Sequence, residues 1–299
     1  RLRRDGAAAN RKLVAAVRTR GGVPVNKEIA EVLAGSRRYC VICADNRDVL
    51  PLLPAKSVAH VITDAPYSDH THAKVRRGGS VHLPDEDVPG APKRVTISTA
   101  AVLGFDALRP GQREECAIQF ARVCRRWVLE FSDQEGAHPW MVANVAAGCD
   151  HVRIGQWVKL NATPQFTGDR PGTGCEAIVI AHPRGRKKWN GGGLPALWVF
   201  PIEINRGGAN ARLHTTQKPL DLMLKLVEQF TDPDDLILDP FCGVGTGLVA
   251  ALRLGRRAIG IELDPVYATT ARDRCEAESQ GLTLRAARAG QLPMFPVRP

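Results

Sequence analysis

The stretch LILDPFCGVGTGLVAALRLGRRAIGIELD, residues 236–264, constrains the fold more than any other part of the chain. It reads as a buried strand, a glycine-rich turn, a helix and a second strand ending in acids, a unit whose two strands run parallel with the helix packed across one sheet face. In such a unit the glycines let the backbone approach a ligand at the strand's carboxyl end. The acid after the next strand is placed to accept hydrogen bonds from ribose hydroxyls, so a nucleoside ligand is expected. With Gly243 and Gly245 as the first two glycines of G-x-G-x-x-G, the third position holds Leu248, and the dinucleotide fingerprint fails where helix must pack on strand. A Walker A lysine is also missing.

The rest of the chain repeats the theme. YCVICAD (39–45), VAHVITD (58–64), WVLEFSD (127–133), HVRIGQWVKLN (151–161), EAIVIAH (176–182) and LWVFP (197–201) read as strands. DVLPLLP reads as a short helix or turn, and helices are expected near 111–125, at PLDLMLKLVEQF and from Pro265 to about Ser279. Strands alternating with helices predict an α/β fold, a mostly parallel central sheet with helices on both faces. Before it lies a basic helical extension, residues 1–38, with a helix at 7–19 and a second, capped by Asn26, ending at Gly35. The catalytic domain is expected over 39–280 and a tail over 281–299. Irregular segments rich in Gly, Pro and charge interrupt the domain near 70–115 and 183–213. The eight cysteines are scattered, and the C-x-x-C at Cys40 and Cys43 lies in a strand-like run, so reduced thiols and no metal are expected.

D-P-F-x-G-x-G-T, from Asp239 to Thr246, resembles the S-adenosylmethionine loop of DNA amino-methyltransferases. HTTQKPLDLMLKLVEQF, with Thr216, Lys218 and Pro219, resembles the T-x-K-P segment that precedes this loop in the β-class adenine-N6 and cytosine-N4 enzymes. The resemblance implies a Rossmann-like methyltransferase fold with circularly permuted motif order. It also implies S-adenosylmethionine as cofactor, held by Asp45, Thr216, Lys218, Asp239, Phe241, Gly243, Gly245, Thr246 and Glu262. A lysine and a hydroxyl suit the cofactor's carboxylate, and Glu262 its ribose.

The family's substrate motif, D/N/S-P-P-Y/F at a strand end, is matched upstream by Asp64-Ala65-Pro66-Tyr67. An exocyclic amine is a poor nucleophile because its lone pair is delocalised into the ring. A catalyst must accept hydrogen bonds from the NH₂ group, for which a carboxylate and a main-chain carbonyl serve. Pro66 fixes backbone direction and has no N–H, and Tyr67 offers a face on which an extruded base can stack. The catalytic residues implied are therefore Asp64, Pro66 and Tyr67, transferring a methyl group to the N6 of a flipped adenine by direct displacement. Asp64 favours adenine; where the family acts on cytosine N4, serine is commoner. That preference is statistical and leaves a cytosine-N4 enzyme open, while Ala65, in place of the usual proline, leaves open a weakened cofactor-binding, DNA-binding subunit. Trp157, Lys159 and Glu176 follow the family pattern and look like scaffold or base-pocket residues, with scaffold favoured.

Forty-one Lys and Arg against 31 Asp and Glu give a net charge of +10, which suits a polyanionic partner, DNA. Residues 1–38 hold ten of those cations and three acids, an arm that could contact phosphates. DNA contacts are expected from Lys74, Arg76 and Arg77 after the catalytic motif, and from Arg184, Arg186, Lys187, Lys188 and Trp189. The tail sequence Gln291-Leu292-Pro293-Met294-Phe295 resembles the peptide that docks on bacterial sliding clamps. No run of 18 apolar residues and no secretory signal are found, so a cytoplasmic, nucleoid-associated monomer or homodimer is expected.

Overall fold

The computed structural model describes residues 25–67, 108, 111–162, 164, 169–203 and 217–291. The expected helix at 7–19, Lys74, Arg76, Arg77, Thr216 and the clamp-like peptide beyond Gln291 lie outside these residues. An eight-stranded sheet in the order β1-β8-β7-β2-β3-β5-β4-β6 organises the chain. Its strands are β1 Tyr39–Cys43, β2 His60–Thr63, β3 Val128–Ser132, β4 Cys149–Lys159, β5 Cys175–Pro183, β6 Leu197–Phe200, β7 Leu236–Asp239 and β8 Arg257–Glu262. The helices are α1 Val25–Ala34, α2 Asn46–Val49, α3 Gln112–Val123, α4 Gln134–Ala146, α5 Leu220–Phe230, α6 Thr246–Arg253, α7 Pro265–Ser279 and α8 Leu284–Arg288.

Alternation along each strand sorts the core into two layers. Leu236, Leu238, Ile259 and Ile261 face one layer with residues of α1, α3 and α4, whereas Ile237, Val41, Ile62 and Leu129 face the other with α5, α6 and α7. Because both faces are covered, these strands read as continuous apolar runs. The crossover from β2 to β3 through α3 lies on the first face, and that from β7 to β8 through α6 on the second. β2 pairs in parallel with β7 (Val61 opposite Leu238) and with β3, so the connections turn away from each other at the β2–β7 junction. Ligands of open α/β sheets bind outside the carboxyl ends of strands at such a point.

Three details go beyond the expectations. The sheet is not uniformly parallel: β5 runs against both β3 and β4. Among the described residues no helix separates β4 from β5, and a link of this kind joins antiparallel strands. Helix α4 was not expected, because Gly136 and Pro139 interrupt its sequence, yet Asp133 caps it by accepting from Gly136 N at 2.8 Å. Finally, α1 ends at Gly35 as read, but Ile29 and Val32 are buried in the core and Arg257 bonds the Val32 carbonyl at 2.6 Å. Residues 25–38 are therefore packed into the domain that was expected to begin at Tyr39.

The missing third glycine also has a physical substitute. Leu248 of α6 is fully buried, and its Cδ1 would lie 2.5 Å from a Cβ placed on Gly260 of β8. The close approach of helix and strand is made by a glycine on the strand instead of one on the helix. Gly260→Ala should lower unfolding free energy by about 1–3 kcal/mol through overpacking, measured by urea denaturation, with the midpoint moving down at an unchanged slope.

Candidate active site

Four neighbouring strands, β1, β8, β7 and β2, each deliver an acid at the same end of the sheet: Asp45, Glu262, Asp239 and Asp64. The glycine loop between β7 and α6 sits among them. Gly243 (φ +51°) and Gly245 (φ +78°) adopt left-handed backbone. A Cβ on Gly245 would come within 2.9 Å of Ala271, whereas one on Gly243 would project into open space at the sheet end. Glu262 clamps the loop by accepting from Gly243 N and Asp264 N, both at 2.8 Å. Asn46 of α2 donates to the Pro240 carbonyl at 3.3 Å. Arg274 of α7 donates to the Val244 carbonyl at 2.7 Å and the Thr246 hydroxyl at 3.0 Å. Its place on a helix with no clear apolar periodicity concealed it from sequence reasoning. Asp45 caps α2 and holds Arg47 at 2.7 Å. Phe241 is partly buried beside the core and donates its N–H to Asp239 at 3.2 Å.

The two sequence motifs meet directly. Thr63, one residue before Asp64, donates its hydroxyl to Asp239 Oδ1 at 2.8 Å. Asp64 Oδ2 accepts from Lys218 Nζ at 2.6 Å, whereas Asp64 Oδ1 is buried with no hydrogen-bond partner among the described residues. Lys218 Nζ also donates to the Tyr67 hydroxyl at 3.0 Å and lies 3.2 Å from Glu176 Oε2. Tyr67 donates to the same Glu176 oxygen at 2.5 Å, and Lys159 holds the other at 2.7 Å. The Lys218 ammonium lies 5.1 Å from the ring centres of both Tyr67 and Phe131. Lys218 was expected at a cofactor carboxylate; here its ammonium lies within the Asp64 cluster. Glu176 and Lys159, read as scaffold, belong to that cluster too. The signal lay in two charged residues flanking the turn between two apolar strands. Ala65 is buried to 1% exposure in the core, so its methyl group fills space that packing defines.

The charges are strongly coupled. Burial raises the Asp64 carboxyl and Glu176 adds to this, together outweighing the pull of Lys218. Burial also raises Asp239, to about 7, against the bonds from Thr63 and Phe241 and with the help of Asp64 and Glu262. Glu262 is raised by burial despite its backbone donors. Glu176 goes the other way: burial opposes its charge, but Lys218 and Lys159 prevail and hold it at about 2. Lys218 is desolvated, yet Asp64 and Glu176 keep it above its ordinary value.

The second basic run is not brought to this site. Because β5 is antiparallel, Arg184, Arg186, Lys187 and Lys188 follow its far end, beside the start of β3, where Val128 pairs with Ala181. Lys187 and Lys188 pair with Asp150 and Asp232 at 2.7 and 2.8 Å. Trp189 packs edge-on against Phe230, with centroids 4.7 Å apart, and bonds the Gly192 carbonyl at 2.8 Å. Trp189 is thus held by packing at the end of the sheet opposite Asp64.

Comparison with known proteins agrees with the fold. Residues 155–273 match the N6_N4_Mtase family model, DNA methylase. A stretch of 67 residues is 49% identical to the type II methyltransferase M2.DpnII of Streptococcus pneumoniae, 22% of this chain and 25% of that protein. The aligned part spans less than half the length of the curated relatives it matches. Among solved structures, the M1.HpyAVI–SAM complex superimposes with TM-score 0.53 at 22% identity, covering 79% of this chain and 99% of that one. The PvuII DNA methyltransferase, cytosine-N4-specific, does so with TM-score 0.58 at 14% identity, covering 79% and 86%. The fold is therefore the Rossmann-like α/β fold of these structures. More particularly, residues 155–273 are similar to the DNA methylase family model of the N6/N4 type. Asp45 and Asp64 lie upstream of that segment and join it only in the folded sheet.

A raised acid destabilises the native state increasingly as pH rises, because only the unfolded chain ionises freely. For Asp239 this cost is absent below about pH 4, grows towards its folded value of about 7 and is complete above it. Asp239→Asn keeps the acceptor for Thr63 and should exceed the wild type in unfolding free energy at pH 8 by roughly 2–4 kcal/mol, the gain vanishing towards pH 4. Urea titrations at the two pH values measure it.

Proposed function

We propose that this protein transfers a methyl group from S-adenosylmethionine to the N6 amine of a flipped adenine in DNA. The observation that carries the reading is the state of Asp64: one oxygen is engaged by Lys218, and the other is a buried acceptor with no donor among the described residues, beside the glycine loop. A buried carboxylate oxygen without a donor is costly, and a ligand N–H satisfies it.

The chain's own residues fit the cofactor. Gly243 leaves the loop backbone open to a ligand, and each Glu262 oxygen keeps a second lone pair for a ribose hydroxyl. Carboxylates at four strand ends suit a sulfonium cation and disfavour a pyrophosphate. When bound, S-adenosylmethionine supplies an electrophilic methyl group. Asp64 Oδ1 accepts one amine N–H, and the main-chain carbonyl at Pro66 is the candidate for the other, which favours a pyramidal nitrogen with its lone pair exposed. Tyr67, its hydroxyl fixed by Glu176 and Lys218, presents its ring for stacking on the extruded base. The raised Asp64 carboxyl is the stronger acceptor for the proton the methylated amine gives up. The resemblance at Asp64 supports adenine, and the net charge of +10 supports DNA as the polyanion.

The test is methylation of plasmid DNA in vitro with labelled cofactor, digestion to nucleosides and identification of the modified base by mass. N6-methyladenine is expected. N4-methylcytosine would move the assignment to the sister substrate, and cofactor binding with no transfer to any DNA would overturn it. Asp64→Asn should reduce the rate by about 10²–10⁴-fold while cofactor binding, followed by calorimetry, changes little.

A further inference from the structure

Glu176 stands 112 positions beyond Asp64 in the sequence, on the antiparallel strand β5, and shares the Lys218 ammonium with it. It thereby controls what surrounds that carboxylate. Lys218 has three ammonium hydrogens and three acceptors: Asp64 Oδ2 at 2.6 Å, the Tyr67 hydroxyl at 3.0 Å and Glu176 Oε2 at 3.2 Å. Without Glu176 the ammonium would have Asp64 as its one carboxylate partner, and the Tyr67 hydroxyl would lose its 2.5 Å acceptor. Lys159 occupies the opposite oxygen of Glu176 at 2.7 Å and fixes its rotamer. The cluster thus holds two carboxylates and two ammonium groups, a balanced set that tolerates partial burial.

We propose that Glu176, held by Lys159, is a positioning residue. It divides the Lys218 ammonium between two carboxylates and orients Tyr67, so that Asp64 stays an available acceptor for the substrate amine. The inference rests on the function proposed above and adds to it a residue that touches neither substrate nor cofactor. The charge pattern agrees in direction: Glu176 raises Asp64, Lys218 lowers it, and Glu176 itself stays ionised between its lysines. The other ionisable groups facing the cluster are Tyr67 and, through Thr63, Asp239 of β7.

Two kinds of measurement test this. In protein free of added ligands, the Asp64 side-chain carboxyl is followed by ¹³C NMR in aspartate-labelled samples, assigned with Asp64→Asn. Glu176→Gln should lower its titration midpoint, because a raising charge is gone and Lys218 closes on Asp64. In activity assays, Glu176→Gln should reduce kcat by about 100-fold, with KM for the methyl donor held within about threefold. Glu176→Asp, which keeps the charge, should recover at least about tenfold of that loss. Should Glu176→Gln not fold, Lys159→Met serves. It leaves Glu176 ionised at neutral pH but raises its midpoint, so the acid limb of kcat should move to higher pH, opposite to the shift of Asp64 in Glu176→Gln. An Asp64 midpoint unchanged in Glu176→Gln, or a kcat profile unchanged in Lys159→Met, would overturn the proposal. A shifted midpoint in a protein that methylates no DNA would support the charge division and sink the proposed function instead.

Discussion

Everything at the candidate site depends on β2 lying beside β7. Their parallel pairing sets Asp64 next to Asp239 across 175 positions of sequence, and the Thr63 hydroxyl bonds Asp239 at 2.8 Å to fasten one strand end to the other. Parallel neighbours have their carboxyl ends on the same side, so each motif needs only to end its own strand to face the other. Since the crossovers depart from this junction on opposite faces, neither helix covers the space in front of it.

That arrangement has an electrostatic consequence. Asp45, Glu262, Asp239 and Asp64 end consecutive strands, and three of the four have their carboxyls raised by burial, Asp239 to about 7. Within the described residues, Lys218 is the cation that enters between two of the cluster's carboxylates, while Arg47 serves Asp45 and backbone N–H groups serve Glu262. Charge of this kind does not stabilise the fold by itself. It is the pattern expected where local stability has been exchanged for binding chemistry, and a cationic ligand relieves it.

Strand β5 decides what the rest of the chain contributes. Running against its neighbours, it starts at the site with Glu176 and ends at the far edge of the sheet with Arg184 and the lysines that follow. Residue types along this stretch were easy to read and their meaning was not. Glu176 and Lys159 looked like scaffold because a charged pair flanking a turn does not reveal that its carboxylate will meet a lysine 42 positions later. Composition revealed the charge of the run at 184–189 but not the end of the sheet where it emerges. Trp189 then proved to be packing for Phe230.

Sequence alone determined the alternation of strands and helices, the glycine loop and the two acid-bearing strand ends, because each is a local pattern of periodicity and turn chemistry within a few residues. It also determined the order of the motifs and through it the family resemblance. Only the tertiary structure decided that β5 is antiparallel, that Gly260 replaces the third glycine of the loop, and that Lys218 sits on Asp64 beside Glu176. The reason is physical: these outcomes depend on which strands become neighbours and in which direction they run, and pairing between distant segments leaves no periodic trace in either of them.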